Sequence, residues 1–240
     1  SNTLGCCNPI SEVTALAHKV GALVLIDACQ SLAHQIVDVG FLDIDFLVGS
    51  SHKLCGPTGI GFLWGREELL EAMPPFLGGG EMIQEVFLDQ SSWAELPHKF
   101  EAGTPAIGEA IGMGEALCYL QDIGLDNIHS WEKNLTNYLF NSLSSIDNIK
   151  ILGPSPQQQS NRGVLATFYV PGLHSNDIAT LLDENGICIR SGHHCCQPLH
   201  RHYEVTSTAR ASLNFTSTIE EIDLFKEELI ESINFLKAHS

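Results

Sequence analysis

The sequence is short of positive charge. Twelve Lys and Arg stand against 29 Asp and Glu, for a formal net charge of −17. A protein that binds a nucleic-acid duplex must neutralise phosphates with clustered cations, and no basic run occurs here. Nucleic acid is therefore not an expected partner, and the acidity reads as a soluble, cytosol-like surface. Also absent is any stretch of about 18 apolar residues, the length that crosses a bilayer, so no membrane association is expected. Charged residues make up only 17% of the chain and hydrophobic ones 44%. That balance excludes disorder and suffices for one large core or two modest ones. There is no internal repeat. An initiating methionine is missing too: Ser1-Asn2-Thr3 reads as the end of a strand or loop. The chain reads as a fragment, with an upstream signal or transit peptide left open.

Cysteine is not scarce. Of eight cysteines, two form the pair Cys6-Cys7 and two the pair Cys195-Cys196; Cys29, Cys55, Cys118 and Cys188 are scattered. The spacing is not that of a small secreted scaffold. Reduced thiols in a cytosol-like compartment fit better.

The first half alternates helix and strand signals. Pro9 to Val20 predicts a helix with Val13, Leu16, Ala17 and Val20 on one face, stopped by Gly21. Ala22 to Ile26 is a continuous apolar run, the pattern of a buried parallel strand, and Asp27 follows it. A second apolar stretch, Phe46 to Val48, leads into Gly49-Ser50-Ser51-His52-Lys53, and a third, Ile60 to Trp64, precedes a short helix over Glu67 to Met73. Strand, crossover, strand predicts an α/β layer fold. Pro74 to Pro105 reads as a long Gly-rich loop with a job or a partner. Helices are expected from Ile107 to Leu120 and from an N-cap at Asp126, the latter with Ile128, Trp131, Leu135, Tyr138 and Leu139 on one face. The helical aromatics, Trp131 among them, are expected in the core. From about residue 147 the pattern becomes α+β. Strands are expected over 149–152, 164–170, 187–190 and 209–215, a helix over 175–185, and a surface loop over 154–162. A capping box at Ser217-Thr218-Ile219-Glu220 is expected to open the terminal helix. The domain boundary is placed at 120/121.

Asp27 and Lys53 both fall at the carboxyl ends of inferred strands, where open α/β sheets bind ligands. An amine there can form a Schiff base with an aldehyde cofactor, and a carboxylate can pair with a protonated pyridine nitrogen. Those two residues alone read equally well as a strand-end carboxylate and a surface lysine. Ser50 and His52 shift the balance, because hydroxyl and imidazole donors suit a phosphate.

Asp27-Ala28-Cys29-Gln30 and Ser50-Ser51-His52-Lys53-Leu54-Cys55-Gly56-Pro57-Thr58-Gly59 together resemble the class-V aminotransferase family. Phe100-Glu101-Ala102-Gly103-Thr104-Pro105, Ser191-Gly192-His193-His194-Cys195 and Ala209-Arg210-Ala211-Ser212 extend the likeness, and point to its Suf-type cysteine desulfurases. The resemblance covers the whole chain as the later part of such an enzyme. It implies a pyridoxal 5′-phosphate (PLP)-dependent transferase of fold type I: an incomplete, mainly parallel large domain over 1–120, then a smaller α+β domain over 121–240.

The resemblance also implies roles. Lys53 matches the Schiff-base lysine, Asp27 the pyridinium partner, and Gln30 the residue bonding the ring hydroxyl. Ser50 and His52 match phosphate ligands, and Thr104 a phosphate contact given across a dimer interface. Asn2 matches an asparagine near cofactor and substrate, and Arg210 the arginine that holds the substrate carboxylate as a bidentate fork. Cys195 matches the nucleophile that takes sulfur from L-cysteine, leaving alanine and a persulfide, with His193 and His194 placed to favour its ionisation. Implied partners are a sulfur acceptor of the SufE type or Suf scaffold proteins, for iron–sulfur cluster assembly, and a second copy of the chain. The implied location is the cytoplasm, or alternatively the plastid stroma. Selenocysteine lyase and a non-catalytic fragment are the competing readings. The fragment alone is expected to bind PLP poorly and turn over slowly.

Bland readings dispose of other motifs. His193-His194-Cys195-Cys196 lacks zinc-ligand spacing, since four consecutive side chains cannot all face one ion. Cys196 is either an inert buried thiol or a second reactive one. Gly56 to Gly61 resembles a nucleotide loop only superficially.

Overall fold

In the computed structural model, which describes residues 1–239, the chain divides into two compact units. The first is Pro9–Leu125, and the second joins Ser1–Asn8 to the chain from Asp126 onward. The observed division therefore falls at 125/126 rather than at 120/121, and the first eight residues belong with the later unit.

The first unit is α/β. Helix α1 (Ile10–His18) leads to β1 (Leu25–Asp27), the short α2 (Val39–Leu42) and β2 (Phe46–Ser50). A 3₁₀ turn at Ser51–Lys53 then precedes β3 (Gly61–Gly65) and α3 (Glu67–Ala72). The three strands form one sheet in the order β1-β2-β3, with β1 parallel and β3 antiparallel to β2. The short link from Ser50 to Gly61 carries no crossover helix, so β3 must return antiparallel.

Two apolar patterns turn out differently from expectation. The run through β1 alternates instead of being buried: Val24 and Ala28 are inside, while Leu23 and Leu25 lie in solvent. The face of this run that carries Leu23 and Leu25 has no layer packed over it among the described residues. On α1, Ile10 and Ala17 pack on the small core of Val24, Ala28, Ile44 and Leu47, but Val13 and Leu16 face out, as does Val20 in the turn beyond the helix.

The stretch over 74–105 is not structureless. It holds a hairpin of β4 (Ile83–Val86) and β5 (Ser91–Trp93) and a 3₁₀ turn at His98–Phe100. Lys99 fixes that turn, because its buried amine donates to the carbonyls of Leu70 (3.0 Å) and Glu71 (2.8 Å) at the end of α3. Helix α4 (Ile107–Ile123) closes the unit and stops at Gly124, whose φ of 88° suits glycine.

The second unit is an α+β layer. Helix α5 (Leu125–Ser144), β6 (Lys150–Leu152), β7 (Leu165–Tyr169) and α6 (Ser175–Glu184) come first. Strand β8 (Arg190–Gly192), α7 (Gln197–His202), β9 (Thr208–Ser212) and α8 (Ile219–Ala238) follow. The strands form an antiparallel sheet in the order β6-β7-β9-β8. Leu135, Leu139 and Leu143 of α5, Ile178 and Leu182 of α6, and Ile222 and Leu229 of α8 bury themselves with Phe168 in one cluster.

Five expectations shift here. Asp126 lies inside α5 rather than capping it. Trp131 is partly exposed and donates its indole N–H to the Ser217 carbonyl at 3.2 Å, so it is a surface clasp rather than core. The expected strand at 187–190 pairs only from Arg190 onward, because β9 sets the ladder through Arg190↔Arg210 and Ser191↔Ala209. The capping box is real but one residue later. Thr218 accepts from the Glu221 N–H at 3.2 Å, and Glu221 accepts from the Thr218 N–H at 2.9 Å. Within the 154–162 loop, Arg162 is buried and not on the surface. It donates to the carbonyls of Pro154, Leu4 and Leu165 and lies over the Phe140 ring, which ties the first residues to this unit. Desolvation there lowers its pKa to about 10.

Candidate active site

The residues singled out from sequence divide between the two units.

In the first unit, parallel pairing of β1 and β2 aligns Asp27 with Val48, and the Ala28 N–H continues the ladder to the Val48 carbonyl at 3.0 Å. The carboxyl ends of both strands therefore lie side by side. Asp27 occupies one end, with Gln30 in the turn after it; Ser50 occupies the other, with His52 and Lys53 in the 3₁₀ turn that follows. Asp27, Gln30, His52 and Lys53 are exposed and Ser50 is half-buried. Bonds from the Cys29 thiol and from the Cys29 N–H, the latter 3.0 Å from Oδ1, hold the Asp27 carboxyl below its usual range, and the charge of Lys53 helps. Asp27 is thus an anion at neutral pH. Burial, with the bond to Asp27, pushes the Cys29 thiol up. Ser50 Oγ and His52 Nδ1 lie 2.9 Å apart. The turn carrying Lys53 is tight, since a Cβ on Gly56 would sit 2.3 Å from Ser51 Oγ. Thr104 is exposed in the turn before α4, and among the described residues no hydrogen bond joins it to the strand-end group.

The second unit gathers Asn2, Arg210 and Cys195. Arg210 Nη1 donates to the Asn2 carbonyl at 2.7 Å, and Asn2 Nδ2 donates to the His194 carbonyl at 3.0 Å. Cys195 is exposed on the loop between β8 and α7. His194 and Cys195 both hold positive φ, 50° and 61°, a conformation that costs a non-glycine residue on the order of 1 kcal/mol or more. The Arg190 guanidinium donates to Cys195 Sγ, Nη2 to Sγ 3.8 Å. Arg190, Ser191, His193, His194, Cys195 and Gln197 line a cavity of about 540 Å³. Burial, with Arg190 beside it, lowers the pKa of Arg210. Two guanidiniums at cross-strand positions repel unless an anion joins them, so this end of the sheet suits a carboxylate.

His194 requires a correction. Its side chain is only 2% exposed. Desolvation, then the charge of Arg210, lowers its pKa to about 4. It is neutral at pH 7 and gives no positive charge to Cys195. The cation bonded to the sulfur is Arg190. Arg190 carried no assigned role from sequence, although it immediately precedes the motif Ser191-Gly192-His193-His194-Cys195. Cys196 is half-buried at the start of α7.

The aminotransferase class-V profile matches residues 1–225. The chain belongs to the class-V aminotransferase family. PLP is the cofactor of that family. A probable cysteine desulfurase of Synechocystis sp. is 58% identical over 98% of this chain and 56% of its own length. The chain thus spans about half the length of the curated relatives it matches. Among solved structures, the cysteine desulfurase CsdA of Escherichia coli in an S-sulfonic acid form superposes with a TM-score of 0.91. It is 37% identical and matches over 98% of this chain and 57% of its own. A cysteine desulfurase from Thermococcus onnurineus gives the same TM-score at 38% identity, over 96% of this chain and 57% of its own. These class-V likenesses match the expected fold, the PLP-dependent transferase type with an α/β part followed by an α+β part. No helix among the described residues is long and apolar enough to cross a membrane.

Proposed function

We propose that the protein carrying this chain is a PLP-dependent cysteine desulfurase, which converts L-cysteine to L-alanine and leaves a persulfide on Cys195. The observation that carries this reading is Cys195 itself: an exposed thiol on a tightly held loop, with a guanidinium donating to its sulfur. The strand-end donors of the first unit fit PLP by their chemistry: an amine, an ionised carboxylate, and a hydroxyl–imidazole pair suited to phosphate. When bound, the cofactor supplies an electron sink for the substrate's α-carbon. Asp27 offers its anionic carboxylate to the ring nitrogen, Gln30 a bond to the ring hydroxyl, and Ser50, His52 and Thr104 donors to the phosphate. Lys53 Nζ accepts the substrate's α-proton and returns it. Arg210 and Asn2 hold the substrate carboxylate. Cys195 Sγ attacks the substrate sulfur. The new S–S bond forms as the substrate C–S bond breaks, and its electron pair goes to the carbon, which takes up a proton.

The persulfide then passes to an acceptor, and we assign that role to a SufE-type protein or a Suf scaffold serving iron–sulfur cluster assembly. The Suf-type motifs in this sequence support that step. A homodimer follows from the role assigned to Thr104. Eight unbridged cysteines suit the reducing cytoplasm. Cys195→Ser in the intact enzyme tests the proposal. The visible absorbance of bound cofactor should persist while sulfide release from cysteine falls at least about a hundredfold. Sulfide release at the wild-type rate would refute it.

A further inference from the structure

Behind Cys195 lies a chain of hydrogen bonds that the reaction above does not use. His200 Nδ1 is 3.0 Å from the Cys196 carbonyl, and His200 Nε2 is 2.9 Å from Thr208 Oγ1. The same hydroxyl is 2.9 Å from His194 Nε2. His194, His200 and Thr208 are all buried, and His194 Nδ1 is buried with no partner.

The donors can be assigned by counting protons. A carbonyl only accepts, so His200 carries its hydrogen on Nδ1. In the neutral ring its Nε2 is then bare and accepts from the Thr208 hydroxyl. That hydroxyl has one hydrogen, already given, so its oxygen must accept from His194 Nε2–H. His194 is left with a bare Nδ1, the tautomer that an unpartnered buried nitrogen tolerates best. The chain is directional, and it ends on the residue before Cys195. From the other side, Asn2 Nδ2 holds the His194 carbonyl. The two positive-φ residues, His194 and Cys195, are thus clamped through both side chain and backbone of His194.

We infer that Thr208 and His200 are positioning residues for Cys195, fixing the His194 tautomer and thereby the strained loop that sets the sulfur beside Arg190. The inference rests on Cys195 being the reactive thiol, but its test does not require turnover. Iodoacetamide labelling of the cofactor-bound enzyme, resolved by peptide mass spectrometry, reads the rate at Cys195, with exposed Cys188 as internal reference. Thr208→Val keeps the shape and removes both bonds. It should slow Cys195 about tenfold relative to Cys188, within the range for losing a net intramolecular hydrogen bond. His200→Phe should slow it similarly, and Thr208→Ser should restore the wild-type rate. A Thr208→Val rate equal to or above wild type, or a slowed Thr208→Ser, overturns the inference. Histidine ¹⁵N shifts of the unmutated enzyme give a second reading: His194 should carry Nε2–H and His200 Nδ1–H, and the reverse pattern overturns the assignment. Failure of the desulfurase reading would show separately, as sulfide release that survives Cys195→Ser.

Discussion

Among the described residues, Leu135, Leu139, Phe168, Ile178, Leu182 and Leu229 of the second unit belong to one cluster of 16 buried residues, whereas the cluster under the first unit's sheet holds four, Val24, Ala28, Ile44 and Leu47. The same contrast holds for the chemistry. In the second unit the reactive loop is gripped by Asn2, Thr208 and His200. In the first, Asp27, Gln30, His52 and Lys53 stand in solvent at the ends of two short strands. A thick core can hold a strained loop still. A thin sheet can only align groups by register, and the fit of those groups to a ligand rests on their chemistry.

The largest expected break in this comparison is at Lys53. Lys53→Ala should abolish the visible absorbance of bound cofactor and cut turnover about a thousandfold or more, while Cys195 labels with iodoacetamide as before. Loss of Cys195 labelling in that variant would mean that the thiol's reactivity depends on the lysine. Next is packing. Leu139→Ala should cost about 3 kcal/mol by chemical denaturation, and Leu25→Ala about 0.5 kcal/mol or less. Equal costs would erase the distinction between a thick and a thin core.

A smaller test uses pH. His194 takes up a proton only near pH 4 when folded, against 6.5 for an ordinary histidine. Between those values the unfolded chain binds a proton that the folded chain excludes. Stability should therefore fall as pH drops from about 6.5 to about 4, by on the order of 3 kcal/mol in total, and His194 adds no slope above that range. His194→Gln should flatten this part of the denaturation-midpoint profile; an unchanged slope would show that another group carries it.

Much of the second unit was legible in its sequence. The spacing of Ile128, Leu135 and Leu139 announces a helix face, and those residues are buried as expected. Ile187 and Ile189 misled, because an apolar pair packs against a core without joining a ladder, and strand pairing is decided by the partner strand. In the first unit, the apolar patterns of α1 and β1 gave element types correctly but not burial. Periodicity says which residues share a face, not whether anything covers it. For the site, motif order brought out Lys53 and Cys195, and strand ends explained Asp27. Thr208 and His200 left no signal: a threonine opening a strand and a histidine in a short helix become partners only through the β8–β9 register. The wrong role for His194 has the same origin, since adjacency in sequence says nothing of desolvation.

The most direct test of the account is to give the intact cofactor-bound enzyme L-cysteine without an acceptor and map persulfide by peptide mass spectrometry. The account predicts one persulfide, on Cys195, formed together with alanine and absent when Lys53 is replaced by alanine. Alanine formation with Cys195 unmodified, or persulfide on Cys196 instead, would contradict it.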